Sequence, residues 1–268
     1  MAKLALKYGP LALVTGASSG IGEQFARLLA QEGVDLIITA RRAERLESLS
    51  RELQQLHSVS VTCVTCDLSD ALQVDTLIEA VRHREPGLII SNAGYGVPKG
   101  NYLDIDIAAL EAMYQANCIA PARLARALLP DMVGRGSGGI IFTGSIEGEA
   151  VFPYSASYAA SKAFLHSLVL ALWFELQSSG VDVLLLAPGA TDTEAPLKQG
   201  ISRDQLSGLM SPADVAGRAL QQLGLRPQFI PGLQNRLMVA LLRLLPRKLA
   251  IKAAGMGMQR AMAGSAAD

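Results

Sequence analysis

Three cysteines in 268 residues are too few for a disulfide framework, and they read as free thiols of a reducing, cytoplasmic setting. Net charge is missing as well, since Lys plus Arg and Asp plus Glu each total 24. Without a basic excess, no broad nucleic-acid surface is expected. The three histidines, His57, His83 and His166, lack metal-ligand spacing and read as ordinary helix or surface positions. No run of roughly 18 apolar residues occurs, so no membrane-crossing helix is expected. The first ten residues hold two lysines but no apolar stretch of about 7–15 residues, so they do not read as a signal peptide.

What is present is apolar sequence in short pieces, half of the chain in all. Leu11–Val14, Val34–Thr39, Val59–Thr65, Leu88–Ile90, Ile140–Thr143, Val181–Ala187 and Gln228–Ile230 read as strands. Most are apolar on both faces, as in a parallel sheet covered on both sides. Helical stripes lie between them, such as Ile21, Phe25, Leu28 and Leu29, or Leu46, Leu49, Leu53 and Leu56. Ser211-Pro212-Ala213-Asp214 reads as a helix start. Alternating strands and helices predict an α/β fold, a Rossmann-type doubly wound parallel sheet of about seven strands. No linker interrupts it. Residues 1–232 are expected to form one domain, with 233–268 as its helical extension.

Leu11–Val14 runs through Thr15-Gly16-Ala17-Ser18-Ser19-Gly20-Ile21-Gly22 into a helix. Glycines at a strand-to-helix turn let backbone amides approach a pyrophosphate, and the helix dipole favours its charge. The second strand ends in Thr39-Ala40-Arg41-Arg42. Two guanidiniums without a carboxylate suit a ribose 2′-phosphate, which favours NADP(H) over NAD(H). Tyr158 and Lys162 stand four residues apart, on one face if that run is helical. An ammonium beside a phenol favours the phenolate and moves it toward proton exchange near neutrality. Cys63 and Cys66 spell C-x-x-C, but three residues apart in a strand they point to opposite faces, against zinc or redox chemistry.

Together these motifs resemble the short-chain dehydrogenase/reductase family, in its compact branch, from about Leu11 to about Gly232. Thr15–Gly22 is similar to the family's cofactor loop, and Asp67-Leu68 to the pair that reads the adenine. Ser91-Asn92-Ala93-Gly94 resembles the N-N-A-G stretch beside the adenine ribose, with Ser91 in place of the usual first Asn. Pro188-Gly189-Ala190-Thr191-Asp192-Thr193 resembles the segment that holds the nicotinamide. Asn117, Ser145, Tyr158 and Lys162 match the catalytic positions.

The resemblance implies hydride transfer between nicotinamide and a carbonyl or secondary alcohol. Tyr158 would exchange the proton on the substrate oxygen and Ser145 would hydrogen-bond that oxygen. Lys162 would hold the nicotinamide ribose and, with the positive ring of the oxidised cofactor, depress the Tyr158 pKa. Asn117 would anchor a water linking Lys162 to solvent. A homodimer or homotetramer is expected.

The loops Tyr95–Tyr102, Ile146–Tyr154 and Glu194–Met210 are expected to choose the substrate. Phe152, Tyr154, Leu197, Leu209 and Met210 give them an apolar cast, so an acyl, steroid-like or retinoid-like small molecule is expected. Glu147 and Glu149 either meet a polar substrate group or lie in a solvated loop. The apolar run Leu237–Leu245, closed by basic residues, reads as a lid or subunit contact in preference to a membrane-surface contact. An idle NADPH-binding sensor would not need Ser145, Tyr158 and Lys162 at working spacing. A sugar epimerase of the related longer family would need more chain after the sheet.

Overall fold

The computed structural model describes residues 3–201 and 208–263. Part of the Glu194–Met210 loop, residues 202–207, and the end pieces 1–2 and 264–268 of the expected domain ranges lie outside the described residues. Seven strands form one parallel sheet: β1 Leu11–Thr15, β2 Asp35–Ala40, β3 Val61–Thr65, β4 Leu88–Ser91, β5 Gly138–Thr143, β6 Val181–Leu186 and β7 Gln228–Phe229. Their order is β3-β2-β1-β4-β5-β6-β7. The winding therefore reverses between β1 and β4, and a crevice opens beyond the C-terminal ends of these two strands.

Successive side chains alternate between two cores. Ala12 and Val14 of β1, with Leu36 and Ile38 of β2, face α2 (Gly20–Gln31), α3 (Ala43–His57) and α9 (Pro212–Gln222). Leu13, Ile37, Ile89, Ile140 and Phe142 face α4 (Ala71–Arg82), α6 (Ala120–Arg135) and α7 (Ala156–Glu175) on the other side. This two-sided burial is why the strands carry no polar alternation. Cys63 packs against the first core and Cys66 lies in the second, the divergence expected of that pair. In α3, Leu46, Leu49 and Leu53 are buried as the stripe predicts, whereas Leu56 is exposed near the helix end. The helix α9 starts at Pro212 with Ser211 as its N-cap.

The first short helix and the π-helical turn carry no clear sequence signal, whereas the two helices after the sheet agree with the helical extension read from the sequence. A short helix, α1 (Lys3–Tyr8), buries Tyr8, whose hydroxyl donates to Asp182 at 2.8 Å. After α5 (Ile107–Tyr114), a π-helical turn over Gln115–Ile119 leads into α6. The short α8 (Glu194–Lys198) follows β6, and α10 (Leu233–Leu244) and α11 (Arg247–Ala263) follow the sheet.

Candidate active site

The cleft at the switch point has a volume of about 880 Å³. Its cofactor side is built by the glycine loop. Gly16 and Gly20 have φ of +69° and +61°, a left-handed conformation that favours glycine. Ser19 caps α2 in an extended conformation without a side-chain hydrogen bond to the helix. The first-turn amides of α2 thus have no side-chain cap, which fits them to a pyrophosphate. The segment Pro188–Thr193 closes from the opposite side, so near that a Cβ on Gly20 would lie 2.9 Å from the Thr193 methyl.

Thr15, the first residue of the glycine-loop motif but given no role of its own there, organises the neighbouring strand end. Its hydroxyl donates to the Ile90 carbonyl at 3.3 Å and accepts from the amides of Asn92 and Ala93 at 3.0 Å. The Asn92 amide group donates to the Thr15 carbonyl at 3.3 Å and accepts from the Thr143 hydroxyl at 3.2 Å. Ile21, Asp67, Leu68, Gly94, Gly189 and Thr191 also line the cleft. Arg42 is not a free phosphate ligand: it donates to the Ser18 and Ser19 hydroxyls at 3.1 and 2.7 Å and pairs with Glu194 at 2.8 Å. Arg41 is the more exposed guanidinium, 5.4 Å from the Tyr95 ring centre and 3.8 Å from the Asp67 carboxylate.

The catalytic candidates converge at the ends of β5 and α7. Ser145 lies just beyond β5, accepts from the Glu147 amide at 3.1 Å and lines the cleft beside Tyr158. Burial, then the Glu147 carboxylate, push the Tyr158 pKa above its ordinary value, and the Ser145 hydroxyl only partly opposes them. The protein's own groups therefore act against the expected depression, which also counted on the charge of the oxidised nicotinamide ring. Lys162 lies 5.7 Å from the Tyr158 ring centre, and its Nζ donates to the Thr143 carbonyl at 2.9 Å. Asn117, fully buried in the π-helical turn, accepts from the Tyr95 amide at 3.0 Å. It donates to the Tyr95 carbonyl at 2.8 Å and the Ser161 hydroxyl at 3.0 Å. A Cβ on Gly94 would lie 3.0 Å from Asn117 Oδ1 and 3.1 Å from Lys162 Nζ, so both reach the same corner of the cleft.

Burial pushes the Lys162 pKa down to about 8, against the opposing charges of Cys118 and Glu147. Below pH 8 both folded and unfolded chains hold this proton, and folding carries the full cost of burying the ammonium. Between about 8 and 10.5 the unfolded chain binds more protons, so this group's contribution to stability rises with pH. Lys162→Met is accordingly expected to stabilise the fold at pH 7 by about 1–3 kcal/mol, after loss of the Thr143 hydrogen bond. Melting temperatures from pH 7 to 10.5 check this: the wild-type gain with pH should flatten in the variant, and parallel curves would reject it.

Sequence reasoning missed Lys99. Its ammonium is buried and pairs with Glu147 at 2.8 Å, both bonding the Ser155 hydroxyl, and it lies 4.9 Å from the Tyr158 ring centre. A lone lysine in a glycine-containing loop carries no signal of this contact. Glu149 is neither solvated nor in the cleft. Its buried carboxylate pairs with His166 of α7 at 3.0 Å, and also with Gln228 and with Arg243 of α10. Burial raises its pKa, but His166, Arg243 and Gln228 together hold it below the usual carboxylate range. This cluster fastens α10 beside the catalytic helix. Met238 and Leu242 of α10 and Met258 of α11 line the cleft, with Phe152 and Ile201. Leu197 is exposed, and Met210 packs against the first core instead.

A glycine loop at the switch point facing a Ser–Tyr–Lys group defines a dinucleotide-type fold arranged for redox chemistry. The family model described as short chain dehydrogenase matches residues 10–204, and the chain belongs to that family, whose members are oxidoreductases. It is 32% identical over 231 residues to the 7beta-hydroxysteroid dehydrogenase of Clostridium sardiniense, covering 86% of this chain and 88% of that one. Sulfoacetaldehyde reductase 2 of Chromohalobacter salexigens is 35% identical over 190 residues, covering 70% and 75%. Among solved structures, a short-chain dehydrogenase from Sphingobium yanoikuyae in complex with NADPH superposes with a TM-score of 0.79 at 31% identity, covering 88% and 96%.

Proposed function

We propose that the protein is an NADP(H)-dependent oxidoreductase acting on a hydrophobic carbonyl or secondary alcohol. The observation that carries this reading is the Tyr158 phenol, which lines the glycine-loop cleft together with Ser145 and Lys162 and is held in its protonated form. Bound nicotinamide supplies or accepts the hydride. In reduction Tyr158 Oη gives its proton to the substrate oxygen, and in oxidation it takes that proton back. Ser145 donates a hydrogen bond to the same oxygen and steadies its developing charge. Lys162, with donors to spare beyond the one on Thr143, holds the cofactor's ribose, and its proton route to solvent passes Asn117. The apolar wall of Phe152, Met238, Leu242 and Met258 supports an acyl, steroid-like or retinoid-like substrate. The hydroxysteroid dehydrogenase relative agrees with this class.

NADPH oxidation against ketones graded by ring size and chain length tests this reading. Bulky apolar ketones should turn over best. Tight NADPH binding without turnover of any ketone would revive the idle-sensor alternative. The exposed Arg41 and the NADPH-bound relative support the preference for NADP(H). Arg41→Ala is expected to weaken NADPH by about tenfold or more while NADH changes little. Equal losses in fluorescence titrations with the two cofactors would reject the 2′-phosphate role.

The domain reading is supported by Val239 of α10, which is buried, and by the Glu149–Arg243 pair, which join the described helices of residues 233–263 to the preceding domain. A cytoplasmic setting fits the three free cysteines. A homodimer or homotetramer is supported by Phe164, Leu170 and Phe174, exposed along α7. Light scattering should find two or four chains, and Phe174→Glu should lower that mass; a single-chain mass for wild type would overturn the assembly.

A further inference from the structure

The helix α10 is apolar on two sides. Met238 and Leu242 face the cleft, while Leu233, Leu237, Leu241 and Leu244 point outward and are 58–83% exposed. A surface helix normally keeps one apolar stripe and turns polar residues to water. In α11 the same doubling recurs: Met258 lines the cleft, and Leu249 and Met256 on other sides of the helix are 53% and 55% exposed. Charge is segregated here too. Residues 233–263 hold Arg236, Arg243, Arg247, Lys248, Lys252 and Arg260 without one Asp or Glu, although the whole chain is neutral. Glu149 occupies Arg243; the other five have no ion-pair partner among the described residues. The lid role of the inner faces leaves the outward leucines unexplained.

A second copy is a poor occupant, because a two-fold contact sets the same patch against itself and would bring the basic residues of both chains together. An anionic lipid surface answers both features. Leucines enter the boundary between headgroups and acyl chains, and the flanking Arg and Lys meet the headgroup charge. No described helix is long and apolar enough to cross a bilayer, so the contact would be peripheral. We infer that the outward faces of α10 and α11 dock the protein on an anionic membrane surface.

Co-sedimentation of the full-length protein tests this, using vesicles of phosphatidylcholine alone or with about 30% phosphatidylglycerol. The protein should pellet with the anionic vesicles, much less with the neutral ones, and less again at high salt. Each Lys or Arg near such a surface contributes about fivefold in partitioning, so Arg247→Gln/Lys248→Gln should lose roughly 25-fold. Leu237→Ser/Leu241→Ser should release the protein from both compositions, and none of these four residues lines the cleft. Circular dichroism melts confirm folding, and if the serine pair does not fold, the glutamine pair decides. Absence of pelleting with either vesicle overturns the inference, as does binding unchanged in the folded variants. So does a lower mass of the variants in vesicle-free sizing without an effect on pelleting, which would identify a second copy as the occupant.

Discussion

Tyr158→Phe is expected to lower kcat by about 10²–10⁴-fold while NADPH affinity stays within a few-fold of wild type. The phenol lines the cleft with Ser145, and burial, then Glu147, raise its pKa so that it stays protonated through neutral pH. In the proposed reduction it is therefore the acid that meets the new alkoxide. Phenylalanine preserves the ring that Lys99 and Lys162 approach at 4.9 and 5.7 Å, so packing around the site should survive. What disappears is the proton. A Glu147→Gln variant provides the graded companion: removing that carboxylate's charge lowers the Tyr158 pKa, and the alkaline limb of the pH–rate profile should move down with it. A Tyr158→Phe enzyme with wild-type turnover would reject the assignment. Loss of NADPH binding to the same degree as turnover would instead make the residue part of the cofactor's seat.

Gly22→Ala carries the second large effect, on the cofactor loop itself. A methyl at this position would press into the Gly16 carbonyl and lie 2.5 Å from Asn92 Nδ2. Neither neighbour yields easily. Gly16 is backbone, with its amide bonded to the Thr39 carbonyl at 2.8 Å, and Asn92 is tied to Thr15 and Thr143. The loop or the start of α2 must therefore move, at a cost of about 1–3 kcal/mol. A fall in melting temperature should accompany a rise in the NADPH dissociation constant of roughly 5–150-fold, read by fluorescence titration. Gly134→Ala in α6 is the matched control, since its added methyl meets nothing within 4 Å. It should stabilise by about 0.5–1 kcal/mol and leave NADPH binding unchanged. Equal behaviour of the two variants would mean that the loop tolerates what its geometry forbids.

The strands and the glycine loop were readable because their information is local. A strand buried on both faces is apolar along most of its length, so Leu11–Thr15 and Val181–Leu186 announce themselves over five or six residues, with Asp182 the one charge among them. Tyr158 and Lys162 were readable for the same reason, since one helical turn brings them together whatever surrounds it. Lys99 was not. Its partners Glu147 and Ser155 lie 48 and 56 residues away, and only the folding of two loops against each other brings them to the Tyr158 ring. The π-helical turn at Gln115–Ile119 was equally silent, although it delivers the Asn117 amide to Tyr95 and Ser161.

By itself, then, the sequence determined the layered α/β class, the glycine loop between strand and helix, the arginine pair after β2 and the Tyr158–Lys162 spacing. Each is a matter of periodicity or short spacing, whereas Ser145 entered only through the family resemblance. Tertiary structure decided how those groups are charged and which of them are free. It engaged Arg42 with Ser18, Ser19 and Glu194 while Arg41 stayed exposed, and it buried Tyr158 beside Glu147, both of which raise the phenol's pKa. It also gave the C-terminal leucines two different fates, some toward the cleft and some toward the outside. The physical reason is common to all of these: a pKa, an ion pair or a burial depends on distances between residues far apart in the chain, and no local pattern encodes them.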